Sequence, residues 1–178
     1  MIQRKYLPTY TYADYVRWEG RWELIHGIPY AMSPAPALKH QRVNMKLAGL
    51  FDSVLEDCKK CEVYLPIDWK IDEKTVVQPD ISVVCGEPNN ENYLDFAPEL
   101  VVEILSPSNA IKDLNLKYEI YEAQAVRYYV IIDPKKETVT IHAYLEGKFE
   151  EVKVFRGEIY TFELGDCEAE IDFAKIWL

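Results

Sequence analysis

Glu103 is the residue most in need of a chemical reason. It stands alone in Leu100-Val101-Val102-Glu103-Ile104-Leu105, a run otherwise apolar on both faces. A lone carboxylate in a buried strand is costly unless it is paired or metal-bound. Asp80 raises the same question, because it follows Pro79 and leads into the mostly apolar Ile81-Ser82-Val83-Val84. Two acids at strand positions suit a hard cation such as Mg²⁺, which takes one or two carboxylates and keeps several waters. Downstream, Asp113, Lys117 and Tyr121 are spaced by four and share one helical face, with Gln124 about one turn further along. If that face turns toward the strand ends carrying the acids, Lys117 lies beside a metal-bound water and Tyr121 beside a substrate oxygen.

The elements that must position these groups follow from periodicity and punctuation. Thr11 and Asp14 have capping-box spacing ahead of a short helix, to which Tyr12, Tyr15, Val16 and Trp18 give an aromatic face. Trp22 to Met32 reads as two short strands around a turn at His26-Gly27, and Ser33-Pro34-Ala35-Pro36 then breaks the pattern. From His40 to about Asp57, Val43, Leu47, Leu50 and Val54 recur every three or four residues, which predicts a helix with one buried face. Four apolar, β-branched runs predict the central sheet: Val63 to Ile71, Thr75 to Val84 interrupted at Pro79, Leu100 to Leu105, and Tyr128 to Ile132. Between the last two, Asp113 to Gln124 reads as a helix, with start signals at Ser106-Pro107-Ser108 and an apolar stripe of Leu116, Ile120 and Ala123. Alternation from Thr138 to Phe162 around Glu146-Gly147 and Arg156-Gly157 predicts C-terminal β-hairpins that extend the sheet, followed by a short helix from Asp172 to Leu178. With no repeat, linker or low-complexity tract, residues 1–178 are expected to form a single domain of mixed α/β class.

Composition bounds the function. A chain of 178 residues with 49% hydrophobic and 28% charged side chains is long and apolar enough to build a core, unlike a disordered chain. No apolar run approaches the roughly 20 residues that span a bilayer, and the first residues lack an apolar leader segment, so a cytoplasmic protein without membrane partners is expected. The net charge of −10 counts against avid, nonspecific nucleic-acid binding. It does not exclude a nuclease, because a local basic groove or a bound divalent cation reverses the potential where a phosphate lies. Cys58, Cys61, Cys85 and Cys167 are too sparse for a secreted disulfide scaffold and are expected to be reduced thiols. Cys58-Lys59-Lys60-Cys61 has the gap of a zinc or redox pair, yet no second such pair or nearby histidine completes a four-ligand set. His40 at a helix start serves equally as a substrate contact, an N-terminal cap or a surface position.

Several of these segments, taken in chain order, resemble the Uma2 family of restriction-endonuclease-like proteins. They are Glu23-Leu24-Ile25-His26-Gly27, Ser33-Pro34-Ala35-Pro36 with His40 soon after, Gln78-Pro79-Asp80, Glu103-Ile104-Leu105-Ser106-Pro107-Ser108, the Asp113, Lys117, Tyr121 series, and Tyr128 to Pro134. The resemblance implies the PD-(D/E)XK nuclease fold, a mixed central β-sheet flanked by helices with the site at one end. It implies Asp80 and Glu103 as metal ligands. The general nuclease pattern expects lysine two residues after the second acid, where Leu105 stands; in the Uma2-like arrangement the lysine comes from the next helix, here Lys117. Glu23 matches an acidic residue from the N-terminal part of related nucleases that reaches the metal directly or through water. The implied activity is Mg²⁺- or Mn²⁺-dependent hydrolysis of DNA phosphodiester bonds by a homodimer, with Lys117 orienting the attacking water. The competing expectation, favoured by the net acidity, is a catalytically silent binding or assembly module whose acids hold a structural cation.

Overall fold

A computed structural model of the protein describes residues 8–32, 37–106 and 112–177, with the side chains of 112–114 outside the description. The break at Ser33-Pro34-Ala35-Pro36 and the helix-start signals Pro107 and Ser108 lie outside the described residues. In chain order the elements are α1 (Tyr12–Tyr15), β1 (Trp22–Ile25), β2 (Ile28–Ala31), α2 (Leu38–Leu55), β3 (Cys61–Tyr64), β4 (Trp69–Asp72), β5 (Thr75–Val77) and β6 (Ile81–Cys85). Then come β7 (Leu100–Ile104), a π-helical turn (Lys112–Lys117), α3 (Tyr118–Ala123), β8 (Tyr128–Asp133), β9 (Thr138–Leu145), β10 (Lys148–Phe155), β11 (Ile159–Leu164), β12 (Cys167–Asp172) and a 3-10 helix (Phe173–Ile176). They group into two compact units, the first from residues 8–32, 67–78 and 88–96, the second from 37–66, 79–87, 97–106 and 112–177.

The first unit holds an antiparallel sheet of order β2-β1-β5-β4. Its β1–β2 hairpin turns at His26 and Gly27, whose φ angles of 51° and 78° give the two-residue loop a twist that matches the strands. Gly27 is required there twice over, since a Cβ would also collide with the Thr9 methyl. Asp14 accepts from both the backbone N–H and the hydroxyl of Thr11 at 2.9 Å, which fixes the start of α1.

The second unit is built on a six-stranded mixed sheet of order β10-β9-β8-β7-β6-β3, in which β7 and β8 run parallel and the other neighbours antiparallel. α2 covers one face. Its buried side chains are His40, Val43, Leu47, Phe51 and Leu55, whereas Val54 is 39% exposed. The buried face is therefore a four-residue series, offset from the expected Leu50 and Val54, which flank it. The core under α2 includes Ile81, Val83, Val102, Ile104, Val130 and Ile132, closed at one side by Phe162, Ile171 and Phe173.

Several expected elements divide. The Val63–Ile71 run breaks at Pro66 into β3 and β4, and the Thr75–Val84 run breaks at Pro79 into β5 and β6; in each case the halves join different sheets. The β9–β10 hairpin extends the central sheet around Glu146-Gly147 as expected, but β11 and β12 form a separate two-stranded sheet turning near Gly165. The terminal helix shortens to one 3-10 turn, capped by Asp172 Oδ1 on Ala174 N–H at 3.1 Å. The cysteines are not free thiols: folding brings distant segments together and pairs Cys58 with Cys167 and Cys61 with Cys85. Among the described residues no helix is long and apolar enough to cross a membrane.

Candidate active site

β7 is buried along its whole length because both of its faces are covered. Leu100, Val102 and Ile104 belong to the core under α2, and strand alternation turns Glu103 to the opposite face. On that face Glu103, 1% exposed, accepts on Oε1 from Lys117 Nζ at 2.7 Å and from the Tyr121 hydroxyl at 2.7 Å. Lys117 and Tyr121 are also buried. Lys117 ends the π-helical turn and Tyr121 lies four residues on in α3, so both side chains project toward the same strand. Such turns recur at functional sites, where they re-aim a side chain within a helix. Tyr121 is held by an edge-on contact with Tyr129 of β8, their ring centroids 5.2 Å apart.

Asp80 arrives from the neighbouring strand. Ile81 lies opposite Val102, so the chain enters β6 beside the Glu103–Ile104 peptide. Asp80 Oδ2 accepts from the Ile104 N–H at 2.8 Å and lies 3.1 Å from His40 Nε2, in the first turn of α2. The tautomer with its proton on Nε2 donates to Asp80; His40 Nδ1 is buried and has no partner among the described residues. The Asp80 side chain is 13% exposed, more than those of Glu103 and Lys117. Two hydrogen-bonded groups, Asp80 with His40 and Glu103 with Lys117 and Tyr121, thus meet at consecutive residues of β7.

Leu105 and Tyr118, the residues that follow Ile104 and Lys117, line a cleft of about 310 Å³ with Asp133, Thr140, His142 and Glu151. Burial lowers the His142 pKa below the ordinary histidine value, with Glu151 opposing the shift. Its ring packs against Tyr118, Tyr129 and Phe149.

Glu23, in β1 of the first unit, is fully buried and its Oε1 accepts from Gln78 N–H at 2.9 Å. Gln124 is the exposed C-cap of α3, its N–H bonded to Ile120 O at 3.1 Å. The side chain of Asp113 lies outside the described residues. The direct contact between His40 and Asp80 has no linear signal, because 40 residues separate them.

The Uma2 family model, described as "Putative restriction endonuclease", matches residues 12–164. The chain belongs to the Uma2 family. An uncharacterized protein of Synechocystis sp. is 31% identical over 122 residues, which span 64% of this Uma2 chain and 63% of that protein. This chain therefore covers less than two thirds of that relative's length. The crystal structure of a "putative nuclease belonging to DUF820" from Anabaena variabilis has a TM-score of 0.76 at 19% identity, covering 94% of this chain and 97% of that one. This Uma2 protein shares that fold.

Nucleases of this fold class use divalent metals, and the donors at hand suit one. Asp80 and Glu103 offer carboxylate oxygens, the ligand chemistry of Mg²⁺ or Mn²⁺, Asp80 from beside His40 of α2 and Glu103 from beside Lys117 and Tyr121. The hydrogen bonds described above hold Asp80 at Oδ2 and Glu103 at Oε1.

Proposed function

We propose that this Uma2 protein is a metal-dependent endonuclease that hydrolyses DNA phosphodiester bonds, with Asp80, Glu103 and Lys117 as its catalytic residues. The observation that carries this reading is the juxtaposition on β7: a buried carboxylate bonded to a buried ammonium at 2.7 Å, one residue from the peptide N–H that holds a second carboxylate. A divalent cation bound by the two acids would polarise the phosphate and lower the pKa of an attacking water. Lys117 supplies a fixed positive charge in a setting shielded from water, where it offsets charge developing in the transition state. Tyr121 locks the Glu103 carboxylate in one orientation, and the Ile104 N–H with His40 does the same for Asp80. Asp80 is the most exposed of the three acting groups. The same proposal takes two copies of the chain to cut two strands.

Nicking of supercoiled plasmid in Mg²⁺ or Mn²⁺ tests it. Wild type should nick and EDTA should stop it, while Asp80→Asn should lose roughly 100-fold or more in rate. Undiminished nicking by Asp80→Asn and Lys117→Ala would remove both residues from the mechanism. One observation favours a second reading, a catalytically silent module: Glu103 and Lys117 are each 1% exposed and already neutralise one another. Metal binding with no cleavage of any DNA or RNA form would select that reading.

A further inference from the structure

The four cysteines come from distant parts of the sequence and end at one corner of the second unit. Cys58 follows α2, Cys61 opens the edge strand β3, Cys85 closes β6 and Cys167 opens β12. The Cys61 N–H bonds to Cys58 O at 3.2 Å, a turn that brings these two together, and Cys61 and Cys85 are register partners across β3 and β6. The bridges Cys58–Cys167 and Cys61–Cys85 have Cα separations of 6.1 Å and 4.0 Å. Two independent disulfides have no need to be neighbours, yet the sulfurs of Cys58, Cys61 and Cys167 all lie within 4.8 Å of one another, with Cys85 outside that group and bonded to Cys61.

That spacing is a metal-ligand spacing. A tetrahedral zinc site with Zn–S bonds of about 2.3 Å has its sulfurs about 3.8 Å apart. The cluster does not depend on its S–S bonds for assembly. The β3–β6 ladder holds Cys61 beside Cys85, and the Lys60–Asp166 ion pair joins the residues next to Cys61 and Cys167. The flanking Leu55 and Leu164 belong to one core cluster. An all-sulfur set selects a soft or borderline ion such as Zn²⁺, not the hard cation suited to Asp80 and Glu103. Lys59, inside the Cys58–Cys61 turn, adds a positive charge beside the negative charge that four thiolates leave on a divalent ion, while Lys60 is paired with Asp166.

We propose that Cys58, Cys61 and Cys167, joined by Cys85 once its bond to Cys61 opens, form one sulfur site that binds Zn²⁺ when reduced and closes as the two disulfides when oxidised. On loading, four thiols release four protons and form four Zn–S bonds. Oxidation by a peroxide breaks those bonds, forms two S–S bonds and frees Zn²⁺. The four electrons pass to two molecules of hydrogen peroxide, which with four protons become four waters. The site is structural, with no open coordination position, and it ties the β11–β12 hairpin to the α2–β3 corner in either state.

The test uses the full chain, reduced with a phosphine under anaerobic conditions and titrated with Co²⁺ and then Zn²⁺. The expected result is an intense visible ligand-field spectrum with sulfur-to-cobalt charge transfer, displaced by about one equivalent of Zn²⁺. Peroxide should release the zinc with loss of all four thiols. Cys58→Ser and Cys167→Ser should lose the charge-transfer band or weaken Zn²⁺ binding at least tenfold, whereas Asp80→Asn should leave the spectrum unchanged. If the serine variants do not fold, X-ray absorption at the zinc edge of the wild type decides: three or four sulfur neighbours support the site and fewer overturn it. A reduced protein with four titratable thiols and no sulfur-to-cobalt band also overturns it.

Discussion

Replacing Lys117 with methionine keeps most of the side-chain volume and removes the cation 2.7 Å from Glu103 Oε1. Two unit charges at that distance interact by about 6 kcal/mol at an effective dielectric of about 20. The desolvation of both groups offsets much of that attraction, but the loss of a single partner leaves the other's desolvation uncompensated and costs about 3–5 kcal/mol. Against a total stability of about 5–15 kcal/mol, the variant should remain folded at room temperature. With a urea slope of about 2 kcal/mol per molar, its unfolding midpoint should fall by roughly 1.5–2.5 M. The double variant Glu103→Gln/Lys117→Met carries no buried charge at this pair and should recover at least half of the loss, giving a coupling energy of about 2 kcal/mol or more. Mn²⁺ adds a functional arm. Because it can neutralise Glu103 in place of Lys117, it should stabilise Lys117→Met more than wild type, its stabilisation of the variant reaching about 2.7 kcal/mol at a hundredfold excess over Kd. A loss below about 1 kcal/mol in Lys117→Met, or a double variant no better than the single, would refute the buried-pair account. Mn²⁺ that stabilises neither protein would refute the metal at Asp80 and Glu103.

Two further outcomes follow from neighbouring groups. Tyr121→Phe keeps the ring packed on Tyr129 but removes the hydroxyl that donates to Glu103, so it should cost about 1.5–3 kcal/mol in thermal unfolding; a cost below about 0.5 kcal/mol would contradict the hydrogen bond. Burial lowers the His142 pKa from its ordinary 6.5, so on acidification the unfolded chain takes up a proton before the folded one does. Stability should therefore be intact above about pH 6.5 and fall as pH drops from there toward the folded value, and His142→Phe should flatten that slope. Urea midpoints at about pH 7.5 and about pH 5.5 measure it, and equal slopes in the two proteins would show that His142 does not titrate on unfolding.

The chemically important side chains are legible in sequence where each violates a local rule. Glu103 interrupts an apolar strand, and Lys117 and Tyr121 stand four apart on a helix, so their meeting follows from spacing once β7 and α3 pack together. The π-helical turn is not legible, because a four-residue repeat does not distinguish its hydrogen bonds from those of an α-helix. Pro66 and Pro79 mark breaks, but the sheet that each fragment joins is decided by pairing partners far along the chain. The α2 face shifts because Leu50 and Val54 are apolar flank residues that periodicity alone counts as core. The cysteines illustrate the limit most sharply. Their partners lie 24 and 109 residues away, and no local signal announces that Cys85 and Cys167 complete the pattern begun by Cys58 and Cys61.

Net charge and the charge of the proposed site have the same sign until a cation binds. A chain at −10 does little to draw DNA inward at long range, so capture of a phosphodiester depends on the potential at the site itself. There Asp80 and Glu103 bring two negative charges and Lys117 one positive, a balance that repels phosphate. One divalent cation reverses the sign. On the endonuclease reading, substrate binding depends more steeply on the metal than on monovalent salt, because the cation sets the sign of the potential at the site. A nucleic-acid module binding through a basic groove has the opposite ranking, so measuring the two dependences on one DNA fragment separates these modes even before any cleavage is detected.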